Sequence, residues 1–279
     1  MKTRILTALV ALPLLFAAIV LPWYIPETVW IFVGIAILAL AAGLFEFFSL
    51  TKKMELKADA GVGYIGAAVF TFAFAVDAPT RSPEFLILIA ALFVIAVLIS
   101  QTFRFQADFT KMLAGIGVTL LGVFYLAFLG GFLIAMRVGF ENVPALSTKL
   151  LLFFFIVIFA SDIGAYFTGK TLGKHKLVPK ISPGKTWEGL VGGITGAVAA
   201  AALCTWIFFP ELPYKFSIPL SAVMAIVGIL GDLAESAIKR GAGAKDAASI
   251  LPGHGGLLDR LDSLLFNAPI LYYFARFYF

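Results

Sequence analysis

"VWIFVGIAILALAAGLFEFFSL" occupies residues 29–50 and holds a single charged side chain, Glu46. A helix needs about 20 apolar residues to cross the hydrocarbon of a bilayer, and this stretch supplies them. Stretches of the same kind recur at 5–24, 61–76, 85–103, 112–136, 150–168, 190–209, 217–237 and 256–277. The pattern predicts an all-α, polytopic integral membrane protein with about nine transmembrane helices. Composition agrees: of 279 residues, 61% are hydrophobic and only 13% charged, too few for the exterior of a soluble domain of this length.

The first twenty residues, with Lys2 and Arg4 before an apolar run, imitate a signal peptide. No small-x-small cleavage site follows, so they are read as a retained first helix. With the N-terminus inside, the cytoplasmic segments carry 16 of the 21 Lys and Arg residues. The opposite side carries five: Arg81, Arg137, Lys149, Lys215 and Arg276. The asymmetry predicts N-in, C-out. It divides the chain into about five helices over 1–148 and a C-terminal region, 149–279, with cytoplasmic loops at 170–188 and 239–256. The pI near 9.3 then reflects basic cytoplasmic loops and implies no nucleic-acid partner. The single Cys204 excludes an intrachain disulfide and a cysteine metal site.

Carboxylates stand where an apolar chain should avoid them. Glu46, Asp162 and Asp232 lie six, eight and seven residues before Lys52, Lys170 and Lys239. At 1.5 Å per residue they sit roughly 9–12 Å below the cytoplasmic ends of their helices. Asp259 and Asp262 open the last helix three residues apart, on one face. An ionised carboxylate inside a span wants a cation or water. Together these acids predict a polar cavity open to the cytoplasm, and an all-oxygen set favours a hard cation such as Mg2+. Glu235 and Lys239 read as a surface i,i+4 pair.

The basic loops complement the acids. In "KISPGKTWEG" (180–189), Ser182-Pro183-Gly184 reads as a turn beside Lys185, with Thr186 as helix N-cap and Glu188 in the first turn. Free backbone N–H groups there suit phosphate oxygens. "GAYFTGKT" (164–171) matches the phosphate-loop pattern letter for letter. A true phosphate loop lies between a strand and a helix N-terminus, whereas this segment ends an apolar helix, where the dipole is negative. Lys170 and Lys174 remain available to a phosphate only as mobile point charges. In "GLVGGITG" (189–196), Gly189/Gly193 and Gly192/Gly196 form overlapping G-x-x-x-G pairs that allow close helix packing.

The C-terminal half carries a long spaced signature. Ser236, Lys239 and Arg240 are followed by Lys245-Asp246, then Pro252, His254-Gly255-Gly256, Asp259-Arg260 and Asp262. With "SDIGAYFTGKTLGKHKLVPKISPGKTWEG" and "GDLAES", this text resembles the phosphatidate cytidylyltransferase (CDP-diacylglycerol synthase) family across about residues 160–266. The first 150 residues resemble it only in hydrophobic character. The resemblance implies a multi-pass enzyme of the inner (plasma) membrane that is Mg2+-dependent, generally homodimeric, and faces the cytoplasm. It would join CTP and phosphatidic acid into CDP-diacylglycerol and pyrophosphate.

On that resemblance Asp232, Asp246, Asp259 and Asp262 are expected to bind metal. Lys239, Arg240, Lys245, Arg260 and His254 are expected to serve catalysis by neutralising phosphates. Ser182, Lys185, Thr186, Asp162, Gly255 and Gly256 are expected to contact substrate. The chemistry suits the residues. Phosphatidate carries roughly −1.5 to −2, and two like charges 4 Å apart repel by about 4 kcal/mol at an effective dielectric of 20. Two rivals remain: a related CTP-using membrane enzyme acting on another lipid phosphate or lipid alcohol, and a transporter. The second sits poorly with polar motifs crowded into one half.

Overall fold

The computed structural model describes residues 2–104, 108–140, 145–244 and 255–279, with side chains from residue 9 onward. The chain is an all-α polytopic membrane protein. Its helices run α1 (Lys2–Val20), α2 (Val29–Lys53), α3 (Ala60–Thr80), α4 (Glu84–Arg104), α5 (Phe109–Val123) and α6 (Leu129–Val138). After these come α7 (Leu146–Leu172), the strands β1 (Lys176–Val178) and β2 (Ser182–Thr186), α8 (Trp187–Ile207), α9 (Tyr214–Gly241) and α10 (Leu258–Tyr278). A π-helical turn, Phe124–Phe128, joins α5 to α6, so 109–138 forms one span. Each of the nine apolar stretches coincides with a helical stretch. Seven of these, among the described residues, are long and apolar enough to cross a membrane. The other two are α1, which with the turn after it contributes the apolar stretch Leu9–Trp23 among the described residues, and α10, whose composition includes Asp259, Arg260, Asp262, Asn267 and Arg276.

The chain forms two compact units. One comprises Met1–Ser147 with Gly241–Leu261, the other Thr148–Arg240 with Asp262–Phe279. The first is built around phenylalanine. Phe70 packs edge-on against Phe93, Phe124 and Phe128 at centroid distances of 5.5–5.9 Å. Such edge-to-face pairs add to the apolar area they bury. Asp59 starts α3 as an N-cap, accepting from Val62 N at 3.1 Å, and Asp108 does the same for Lys111 N ahead of α5.

In the second unit α7 and α8 approach through glycine. A Cβ on Gly164 would stand 2.4 Å from Gly192 O, and one on Gly196 2.5 Å from Ala160 O. The backbones meet there because neither helix carries a side chain, as the G-x-x-x-G spacing predicts. "GAYFTGKT" lies within α7, where Gly164 packs on Gly192 and Gly169 stands beside Thr186 and Gly189.

Candidate active site

Glycine also brings α9 and α10 together in the second unit. A Cβ on Gly231 would lie 2.6 Å from Asp262 O, and one on Gly228 3.1 Å from Asn267 Nδ2. Asp232 follows Gly231 directly, and Glu235 lies three residues on, near one side of α9. Asp232, Glu235 and Asp262 consequently present carboxylate oxygens within 4.8 Å of one another. Glu235 has no solvent exposure and Asp262 only 9%, while Asp232 is half-buried.

Among the described residues two lysines form ion pairs with Asp232 and Glu235. Lys185 Nζ, at the end of β2, lies 2.7 Å from Asp232 Oδ2 and donates to Ile229 O at 3.3 Å. Lys239 Nζ lies 2.7 Å from Glu235 Oε2. Ser236 Oγ donates to Asp232 Oδ1, and Asp262 Oδ1 accepts from Ser263 N at 2.6 Å. Asp162, Asp232 and Lys185 all act electrostatically on Asp262. Carboxylates this close, two of them withdrawn from solvent, repel one another when ionised, and the two lysines offset part of that repulsion.

The strand β2 delivers Lys185, and here the sequence reading needs correction. Ser182-Pro183-Gly184 is extended, not a turn; β1 and β2 pair antiparallel, Val178 opposite Ser182 and Lys176 opposite Thr186. The turn falls at 179–181, closed by Ile181 N donating to Val178 O. Proline is tolerated because a two-stranded ladder has only edges, where a missing N–H costs nothing. Thr186 caps α8, its Oγ1 accepting from Gly189 N at 3.0 Å. Arg240 Nε donates to Ile181 O and ties the end of α9 to the hairpin. Glu188 Oε1 lies 2.6 Å from His175 Nδ1, a link that no motif signalled.

Glu235 is the residue that sequence reasoning placed wrongly. Its pairing with Lys239 is present, but the pair is buried, not at the surface. Spacing of i,i+4 reveals a pair and not which way it faces. The available signal was position: Glu235 shares a helix side with Asp232, one turn beyond a glycine.

In the first unit Glu46 is not a cavity-lining acid. It is fully buried and accepts from Leu257 N at 2.9 Å and Leu258 N at 2.7 Å, at the start of α10. Gly255 enters that helix with φ +80, in the left-handed region glycine tolerates, and Gly256 N donates to Asp259 Oδ2 at 2.9 Å. Among the described residues Asp259 is not part of the close triad. Arg260 is exposed. Lys245, Asp246 and His254 lie outside the described residues.

A carboxylate cluster with lysine counter-ions thus stands on the mostly apolar helices of a membrane protein. The class is specified by comparison with known proteins. The cytidylyltransferase family model matches residues 2–278, and the chain belongs to that family. It is therefore a nucleotidyltransferase. It is 34% identical over 282 residues to a phosphatidate cytidylyltransferase of Bacillus subtilis (strain 168), spanning 98% of this chain and 97% of that protein. It is 31% identical over 297 residues to one from Synechocystis sp., spanning 98% and 95%. A relative of the same description from Brucella suis biovar 1 is 40% identical over 174 residues, 61% of each chain.

Proposed function

We propose that the protein is a phosphatidate cytidylyltransferase, converting CTP and phosphatidic acid into CDP-diacylglycerol and pyrophosphate for phospholipid synthesis. The observation that carries this is the near-full-length identity of 34% to the Bacillus subtilis protein of that name. In this reading all nine helical stretches cross the inner membrane, N-in and C-out, the site opens to the cytoplasm, and the enzyme works as a homodimer. The excess of Lys and Arg on the assigned cytoplasmic side supports the orientation.

The donor set fits Mg2+. Three carboxylates within 4.8 Å, two of them withdrawn from solvent, offer hard oxygen ligands, and among the described residues no cysteine or histidine competes. Asp232, Glu235 and Asp262 would hold it, with Asp259 and Asp246 as further sequence-assigned candidates. Bound there, the ion supplies charge neutralisation for the triphosphate and the departing pyrophosphate.

The chain's own residues do the rest. An ionised oxygen of the lipid phosphate forms the new bond to the α-phosphorus of CTP, and the bond to the β-phosphate oxygen breaks. No proton must be removed from the nucleophile, so no general base is needed. Lys185, Lys239, Arg240 and Arg260, with Lys245 and His254 of the signature, offset the accumulating negative charge. Ser182, Thr186, Asp162, Gly255 and Gly256 orient the substrates. Positioning and charge complementarity dominate, as in other phosphoryl transfers.

The test is an acceptor and donor panel: purified protein in mixed micelles with Mg2+, CTP or ATP, and phosphatidate, diacylglycerol or a polyprenyl phosphate. CDP-diacylglycerol and pyrophosphate are expected in equal amounts from CTP with phosphatidate alone. Equal use of ATP, or preference for another acceptor, would contradict the proposal.

A further inference from the structure

We infer that Glu46 is a positioning residue for the signature end of α10. It is the carboxylate, supplied from α2, that fixes where the helix bearing Asp259, Arg260 and Asp262 begins. The inference rests on the cytidylyltransferase reading for what that helix does, and on geometry for how it is held.

A helix start leaves N–H groups with no partner inside the helix. They are usually met by a Ser, Thr, Asp or Asn at the N-cap. The residue before α10 is Leu257, which has no acceptor in its side chain. Glu46 takes that place from 211 and 212 residues away: Oε1 accepts from Leu257 N and Oε2 from Leu258 N. Both carboxylate oxygens are used, at 2.9 and 2.7 Å, by adjacent backbone groups. That is a two-point grip, which fixes direction as well as position.

The grip also explains a charge among apolar neighbours. Glu46 has no solvent exposure and stands between Leu44, Phe47, Phe48 and Leu50, all buried. A carboxylate there needs strong donors and a favourable field, and the positive end of a helix dipole provides both. Among the described residues, local sequence does not replace it. Gly255 and Gly256 admit the sharp entry to the helix and stiffen nothing. Asp259 is occupied with Gly256 N. Among the described residues, Glu46 is thus the side chain that anchors the first backbone donors of the helix on which the signature aspartates stand.

The experiment compares wild type with Glu46→Gln and Glu46→Asp in the full-length protein. The readouts are amide hydrogen exchange over residues 255–262, kcat against KM for CTP, and the Mg2+ dependence of the rate. Gln keeps the size but turns an N–H toward a backbone N–H; Asp keeps the charge but shortens the reach. Exchange at Leu257 and Leu258 should rise about tenfold or more in Gln, the size of a lost charge-assisted hydrogen bond. In the folded fraction kcat should fall and the Mg2+ requirement should rise, with KM for CTP changing less. Asp should lie between Gln and wild type in every readout. If Gln does not fold, the Asp variant alone decides by the same signs. Unchanged exchange overturns the inference, as does lower thermal stability with kcat and Mg2+ dependence unchanged per folded molecule. Because exchange needs no turnover, a wild type protected at Leu257 and Leu258 but inactive with CTP would fault the proposed reaction and not the grip.

Discussion

Lys239 Nζ lies 2.7 Å from Oε2 of Glu235, four residues earlier on α9, and that carboxylate has no solvent exposure. A buried pair of this kind is costly to break from one side, because the remaining charge is left in a medium that solvates it poorly. Lys239→Met should therefore destabilise the protein by about 3 kcal/mol. Adding Glu235→Leu should restore most of that loss, since two apolar groups leave no stranded charge. Chemical unfolding in detergent of both single variants and the double variant checks this. Additive losses would mean that the two side chains do not act as a pair.

Asp262 and Asp259 open the same helix but have different surroundings. Asp262 belongs to the close carboxylate triad, and Asp259 accepts from Gly256 N. Asp262→Asn should lower turnover on the order of 100-fold, the scale of losing one electrostatic stabiliser of the transition state. It should also raise the Mg2+ concentration for half-maximal rate more than Asp259→Asn does. Initial rates against Mg2+ for the two variants measure this. An unshifted Mg2+ curve for Asp262→Asn would remove the triad from the metal's ligands.

Packing gives the phosphate-loop pattern at 164–171 a structural role that can be tested. A methyl group at Gly164 would meet Gly192 O at 2.4 Å, and backbone cannot move aside as a flexible side chain can. Gly164→Ala should cost about 1–3 kcal/mol by forcing α7 and α8 apart. Nucleotide affinity of the folded fraction should stay within a few-fold of wild type. Loss of CTP binding at wild-type stability would reinstate the phosphate loop.

Glu211 lies between α8 and α9, outside the helices. Lys149 Nζ donates to it at 2.6 Å, and that hydrogen bond holds its carboxyl below its ordinary value of 4.5. A depressed carboxyl adds stability that is present above pH 4.5 and is lost as pH falls through the lowered folded value. With 46% of the Glu211 side chain exposed, solvent limits the contribution to at most about 1 kcal/mol. Thermal midpoints of wild type and Glu211→Gln should differ near neutrality and converge as pH falls below 4.5. A constant gap at all pH values would show that the pair contributes no titrating stability.

The helices were legible because hydrophobic length has few alternatives in a membrane, and each apolar stretch from residues 5–24 to 256–277 coincides with a helical stretch. The glycine pairs at 189–196 were legible for a similar reason: their spacing leaves one bare helix side. Pro183 and Gly184 misled, because both favour turns and the tolerance of an edge strand appears only once its partner is known. Glu235 misled because i,i+4 spacing does not say which side of a helix is buried. Glu46 was visible as an anomaly, but its partners at 257 and 258 lie beyond any local pattern. What the sequence withheld was long-range pairing, which packing decides.

The origin of the transferred phosphorus tests the account most directly. The purified protein is given phosphatidate, diacylglycerol and Mg2+ with CTP labelled at either the α- or the γ-phosphate. Attack on the α-phosphorus predicts α label in the lipid product and γ label only in pyrophosphate. Appearance of γ label in lipid, with none from the α position, would make the protein a CTP-dependent lipid kinase and contradict the assignment.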